Sequence, residues 1–427
     1  MLKTRMTQTA AHLVITALGQ LASTGLGVFT GVVTARLLGP QGRGELAALT
    51  LWPMLLVLLA TMGINQAVVF YTGKGVYGVS EIWTASQFIG ACQSLAIILV
   101  GVLAIPLALK HYPAPVKHLS LVFLASIPLI MLGGYPVNVL QGRLRMGSFN
   151  VTRTVPSCAY AIGLIVLFAF RKASLLGVVA CQIAANATAL VSCHWALLRT
   201  VRLRFAWEPR ALFDLLRYGW KTQFGNISDY VNRSCDQLLL SLFVAPHELG
   251  LYAVAVSMVS GVLFVPQAAA AVTLAAGSNA QPTGASRVVA RLFRTSLVWL
   301  IITCSALFLG AHWLVLFVFG PSFARSAVAA RILLPGMVAV GLNQVLYDGA
   351  RALGEPALPS CAQGFAAVIT LLGLFLALPR FGFIGAAWVS TLAYAATLAA
   401  MLILYRWRLR FQVKTLLGTL PTPCVPS

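Results

Sequence analysis

The sequence predicts an all-α polytopic membrane protein of about twelve transmembrane helices in two repeated six-helix lobes. Three observations carry this. The chain is 59% hydrophobic and only 9% charged, with a mean hydropathy of +0.88. A soluble surface carries roughly 25–35% charged residues, so lipid is the main solvent. The apolar stretches reach the length of about 20 residues that a helix needs to cross a bilayer. The chain also repeats itself once: Pro40 and Pro246, Gly44 and Gly250, Leu140 and Leu346, and Arg145 and Arg351 are each 206 residues apart. Pro156-Ser157-Cys158-Ala159 returns as Pro359-Ser360-Cys361-Ala362. A repeat of this length in a polytopic protein is typical of secondary transporters, where related bundles flank a site.

The spans follow in order. The first half holds 10–37, 45–71, 82–109, 118–141, 151–170 and 174–198. The second holds 218–244, 249–274, 288–316, 327–348, 357–378 and 382–405. The first apolar run continues to full span length without a small-residue cleavage site, unlike a signal peptide. Leu38-Gly39-Pro40 and Val244-Ala245-Pro246 separate paired spans at matching places, since Gly and Pro punctuate helix ends. This divides the chain into an N-terminal lobe (1–198), a cytoplasmic interfacial linker (199–217), a C-terminal lobe (218–405) and a cytoplasmic tail (406–427). In the linker, basic residues alternate with Trp207 and Phe213, a pattern that lies along a membrane interface.

Charge sets the orientation. With the N-terminus inside, about 20 of the 30 basic residues fall on the cytoplasmic side and about 9 opposite, with Arg233 inside a span. The positive-inside rule then puts both termini in the cytoplasm, in an inner membrane whose anionic lipids meet the net charge of +21. No basic run interleaved with aromatics marks a nucleic-acid module. The eight cysteines form no CxxC pair and the six histidines no HExxH, so no metal site or disulfide framework is expected. Reporter fusions after Lys74, Arg145, Arg204 and Arg294 should read cytoplasm, and those near Arg43, Lys117 and Arg171 the opposite side. An inverted pattern would overturn the orientation.

Chemistry must come from polar residues inside the spans. Gln223, Asn226, Asp229, Arg233 and Asp236 follow at steps of three or four in the seventh, which puts them on one helical face. Charge in hydrocarbon is costly, so this face is expected to meet a cavity or a partner helix. Arg233 is the candidate for an anionic headgroup, and Asp229 or Asp236 for a coupling cation, a proton or sodium. The alternative is a clamp in which both acids neutralise Arg233. Arg36, Asn65, Gln66, Asn343 and Asp348 complete the candidate pathway, although such residues also serve as helix–helix contacts.

The stretch from Thr34 through Leu38-Gly39-Pro40 and Gly44 to Ala48, the later Gly63-Ile64-Asn65-Gln66-Ala67, and the second-half segment from Asp236 through Glu248-Leu249-Gly250-Leu251-Tyr252 to Ala255 resemble the polysaccharide-biosynthesis flippases. These belong to the multidrug/oligosaccharidyl-lipid/polysaccharide exporter superfamily. The resemblance implies two lobes in a V, alternating access, and a cationic cavity for a polyprenyl-diphosphate-linked sugar. Gly39, Pro40, Gly44, Asp236, Gly250 and Tyr252 are its motif positions. Lipid II flippases of the superfamily carry fourteen spans, which argues against that branch. The expected function is export of a lipid-linked oligosaccharide, without enzymatic activity and alongside a polysaccharide polymerase and export machinery. A multidrug or small-cation antiporter is the alternative, followed by a membrane polymerase or ligase. A P-loop is lacking, so a proton or sodium gradient is the expected drive.

Overall fold

The structure is a computed structural model that describes residues 2–170, 174–278, 282–353, 355, 357–409 and 416. The side chains of 1–18, 20, 21, 224, 229, 271, 272, 274–278, 282–286, 352 and 357 also lie outside the description. The described residues form thirteen α-helices. These are α1 (Leu2–Thr61), α2 (Ile64–Lys74), α3 (Val79–Ala108), α4 (Ala114–Phe123), α5 (Ser126–Gly142), α6 (Met146–Ala169) and α7 (Leu175–Leu198). They continue as α8 (Pro209–Phe243), α9 (Pro246–Ser260), α10 (Phe264–Ser278), α11 (Pro282–Val318), α12 (Ser326–Ala352) and α13 (Ala357–Arg408). Among the described residues, nine helical stretches are long and apolar enough to cross a membrane.

The difference from twelve has a local cause. The first and last helices each contain two expected spans, joined across kinks at Gly39 (φ 65°) and Gly382 (φ 53°). A φ in this left-handed region favours glycine, and Pro40 follows at the start of the next span. The seventh span, on α8, falls outside the nine because Lys221, Asp229, Arg233 and Asp236 lie along it. Each of the twelve expected segments falls on helix among the described residues, three of them interrupted: 45–71 at Met62 and Gly63, 118–141 at Leu124 and Ala125, and 249–274 by a 3-10 turn at Gly261–Leu263.

Two compact units result. One holds residues 1–227 with Ala245–Gly250, and the other Ser228–Val244 with 251–427. The division falls inside α8, beyond the end of the expected linker. Residues 209–217 form the first turns of α8, where Ala211 and Leu215 are buried in the core of the first unit with Ile64, Ile82, Tyr135 and Leu197. The extended segment before Pro209 is held to α3: the Arg204 amide donates to Ser80 Oγ (3.2 Å) and the Ala206 amide to Thr84 Oγ1 (3.2 Å). Tyr77 Oη donates to Asp214 at 2.6 Å. That bond, chiefly, raises the Tyr77 phenol to about 12.

Inside the first unit, the repeated motifs meet. A Cβ on Gly44 would fall on the Pro246 carbonyl oxygen, and one on Gly250 on the Pro40 carbonyl oxygen. The two Pro-x-x-x-Gly turns thus cross backbone to backbone, each glycine opposite the other repeat's proline. Small residues permit such approach between membrane helices. Further along the second span, the helix breaks at Met62 (φ 42°) and Gly63 (φ 70°). A break in hydrocarbon exposes carbonyls that must find donors. Gln223 Nε2 donates to Leu58 O at 2.8 Å. Gln223, expected on the polar stripe, therefore caps the broken span.

Candidate functional site

Polar residues gather in two cavities, one within each unit. The cavity of the first unit has a volume of about 550 Å³ and is walled by α2, α5, α6 and α7. Asn65, Asn138, Gln141, Arg153 and Asn186 line it. Asn138 Nδ2 donates to Asn65 Oδ1 at 2.8 Å, which fixes both amides. The Arg153 guanidinium lies over the Phe149 ring, 5.3 Å from its centre. Asn186 Nδ2 is buried without a hydrogen-bond partner.

The cavity of the second unit has a volume of about 230 Å³. Asn232 and Arg233 of α8 line it with Asn343, Gln344 and Tyr347 of α12 and with Gln363 and Tyr394 of α13. Asn232 Nδ2 donates to Gln363 O (3.0 Å), and Tyr394 Oη to Asn232 O (3.3 Å). Asn343 Nδ2 reaches Tyr394 O at 3.5 Å. The two cavities occupy corresponding places in the repeat. Asn138 corresponds to Gln344 and Gln141 to Tyr347 at an offset of 206, and Asn186 to Tyr394 at 208. The same register that repeats helix ends therefore repeats a polar hollow.

The predicted residues separate into groups. Arg233 and Asn343 come together in the second cavity, while Asn65 lines the first. Asn226 and Gln66 pair with each other, Gln66 Nε2 donating to Asn226 Oδ1 at 3.0 Å. Asp348 pairs with Arg351 (2.9 Å) near the end of α12. Arg36 is exposed one turn before the Gly39 kink. The Asp229 side chain lies outside the described residues, so the expected Asp229–Arg233 pair does as well.

Asp236 stands in a closed cluster in the second unit. It is 4% exposed. Tyr252 Oη donates to its Oδ2 at 2.5 Å, Ser390 Oγ to the same oxygen at 3.2 Å, and the Gln237 amide to Oδ1 at 2.7 Å. The three donors leave both oxygens of this buried carboxylate hydrogen-bonded. A Tyr252→Phe variant should lose about 1–3 kcal/mol, the cost of leaving a buried acceptor short of its donor. Its thermal midpoint in detergent should fall; an unchanged midpoint would show that the bond stabilises nothing.

Sequence reasoning missed Arg153, counted only as a cytoplasmic charge, and also Asn186, Asn232, Gln363 and Tyr394. Asn186 carried a legible signal, an amide deep in an apolar span. Arg153 carried a weaker one: it lies inside the expected span 151–170, but so near its start and Arg145 that it reads as a cytoplasmic end charge.

Residues 10–276 match the family described as polysaccharide biosynthesis protein. Among solved structures, the chain is similar to a lipid II flippase MurJ in an inward closed conformation, with a TM-score of 0.78 at 13% identity. That match covers 95% of this chain and 89% of the other. An inward-facing multidrug-resistance MATE transporter of the MOP superfamily gives 0.73 at 14%, covering 94% and 99%. A MOP superfamily transporter from Pyrococcus furiosus, described as having a binding pocket of reverse polarity, gives 0.67 at 14%, covering 93% and 95%. At these identities the likeness is one of fold. Among curated proteins nothing matches.

Proposed function

Because this chain belongs to the polysaccharide biosynthesis protein family, we propose that it is a flippase that carries a polyprenyl-diphosphate-linked oligosaccharide across the inner membrane. The observation that supports this most is the pair of repeat-related cavities, each lined by several amides and one guanidinium. Amide groups replace the water around sugar hydroxyls. A guanidinium meets phosphate through charge-assisted, bidentate hydrogen bonds. Among the described residues, the lining of both cavities includes no Asp or Glu, which favours this reading over export of an organic cation.

In this reading Arg233 holds a phosphate of the substrate, and Arg153 gives the first unit a second site suited to an anion. The chain moves its substrate without chemical change. Asp236 is the coupling acid, binding a proton or sodium ion, and Tyr252 and Ser390 adjust with it. The glycan then passes to a polymerase and export machinery outside.

Two measurements test the function. Depletion should make a lipid-linked glycan accumulate on the cytoplasmic leaflet. Purified protein in proteoliposomes should move a fluorescent polyprenyl-diphosphate oligosaccharide, and a sodium or proton gradient should raise the rate. Absence of both accumulation and transport would overturn the proposal, and transport of cationic dyes instead would favour a multidrug antiporter.

A further inference from the structure

The transport reading leaves unused the basic, aromatic stretch that joins α7 to α8. This stretch is not a loose tether. The Arg204 and Ala206 amides hold it to Ser80 and Thr84 of α3. The Trp207 ring meets Phe88 of α3 edge to face, with centres 5.0 Å apart. Phe88 is exposed and lies inside the expected span 82–109, so this contact is made at membrane level. At the end of α7, the Arg199 guanidinium lies 3.6 Å from the centre of the Trp195 ring.

The first turns of α8 have two faces. Ala211 and Leu215 are buried in the core of the first unit. Arg210, Phe213, Arg217 and Trp220 follow at steps of three and four, which aligns them on one side of a helix. All four are exposed, as is Lys221 beside them. The two acids of residues 199–221 are engaged elsewhere. Glu208 accepts from the Arg210 amide at 3.1 Å, and Asp214 from Tyr77 Oη at 2.6 Å.

A soluble anion would meet these cations and leave the rings bare. An acidic protein would have to reach rings that belong to the membrane, since Trp195 and Trp220 lie inside the expected spans 174–198 and 218–244. Tryptophan at a span end sits where hydrocarbon meets headgroups. A phospholipid layer serves both kinds of side chain: its phosphates meet the cations, and its upper acyl carbons cover the rings.

We propose that the α8 face of Arg210, Arg217 and Lys221, with Phe213 and Trp220 between them, is a binding surface selective for anionic over zwitterionic phospholipid. It ties to the headgroup layer the start of the helix that further on carries Arg233 and Asp236. The proposal is independent of what the chain transports.

The test uses full-length protein purified in detergent. It is titrated with dioleoylphosphatidylglycerol and, separately, with dioleoylphosphatidylcholine, and the affinity of the first bound lipid is read by native mass spectrometry. Phosphatidylglycerol should bind more tightly, and raising the ammonium acetate concentration should weaken that lipid alone. A cation near an anionic surface is worth about fivefold in affinity. Lys221→Gln should therefore weaken phosphatidylglycerol about fivefold, and Arg210→Gln with Arg217→Gln about 25-fold. Phosphatidylcholine binding should not change. Arg287→Gln with Arg291→Gln removes the same charge from exposed positions of α11 and should leave both affinities as they are. All variants should keep the wild-type melting midpoint, because the replaced side chains are exposed; if one does not, the lipid comparison and salt response of the wild type still decide. Equal affinity for the two lipids, or an equal loss in the α11 variant, would overturn the proposal by reducing it to net charge. Displacement of the lipid by inorganic phosphate or by a polyglutamate peptide at matched concentration would overturn it in favour of a soluble anion or an acidic protein.

Discussion

A Gly250→Val variant is expected to accumulate in the membrane at a small fraction of wild-type abundance, as is Gly44→Val. A Cβ at either position would land on a backbone carbonyl of the opposing repeat, Pro40 for Gly250 and Pro246 for Gly44. A flexible side chain could swing away, but a carbonyl within a helix end moves only with its helix. The cost therefore exceeds the roughly 1–3 kcal/mol of ordinary overpacking, against total stabilities of about 5–15 kcal/mol. Gly364 provides the control, since a Cβ there meets nothing within 4 Å. Gly364→Val should be tolerated. Normal levels of Gly250→Val in a membrane fraction, with wild-type melting, would show that the crossing is not required for folding.

The second large effect is functional. Arg233→Ala should lose export while leaving abundance nearly normal. Sequence reasoning offered a rival, a clamp in which loss of Arg233 strands a buried acid at about 3–5 kcal/mol. For Asp236 that cost is offset elsewhere: Tyr252, Ser390 and the Gln237 amide donate to its carboxylate, and Arg233 itself is exposed. The Asp229 side chain lies outside the described residues, so the thermal midpoint of Arg233→Ala, read beside its export, decides between the two roles. Loss of a charged partner for phosphate is worth about 2–5 kcal/mol, or roughly 30-fold to several thousand-fold in transport efficiency. Arg233→Lys should recover only part, because an ammonium keeps the charge without the planar fork. Arg153→Ala is the comparison. If it abolishes export and Arg233→Ala does not, the headgroup is read in the first unit.

The sequence by itself determined the class, the spans and the repeat. Hydropathy, charge balance and helix-end Gly and Pro are local or periodic properties, and lipid makes them decisive because every backbone group must be paired within its own helix. Tertiary structure decided how the polar residues divide. The stripe on α8 is one face by periodicity, yet Gln223 caps the break before Gly63, Asn226 pairs with Gln66, Arg233 lines a cavity and Asp236 is enclosed by Tyr252 and Ser390. A single helix's spacing says which residues point together, and only its neighbours decide what they meet. The same holds for Arg153 and Asn186, whose cavity is assembled by three consecutive helices, α5, α6 and α7, closing against α2. The amide oxygens of Asn232, Asn343 and Gln344, buried without a hydrogen-bond partner, are likewise a fact of packing: an amide's partners come from other helices, so no reading along the chain can tell which will be left without one.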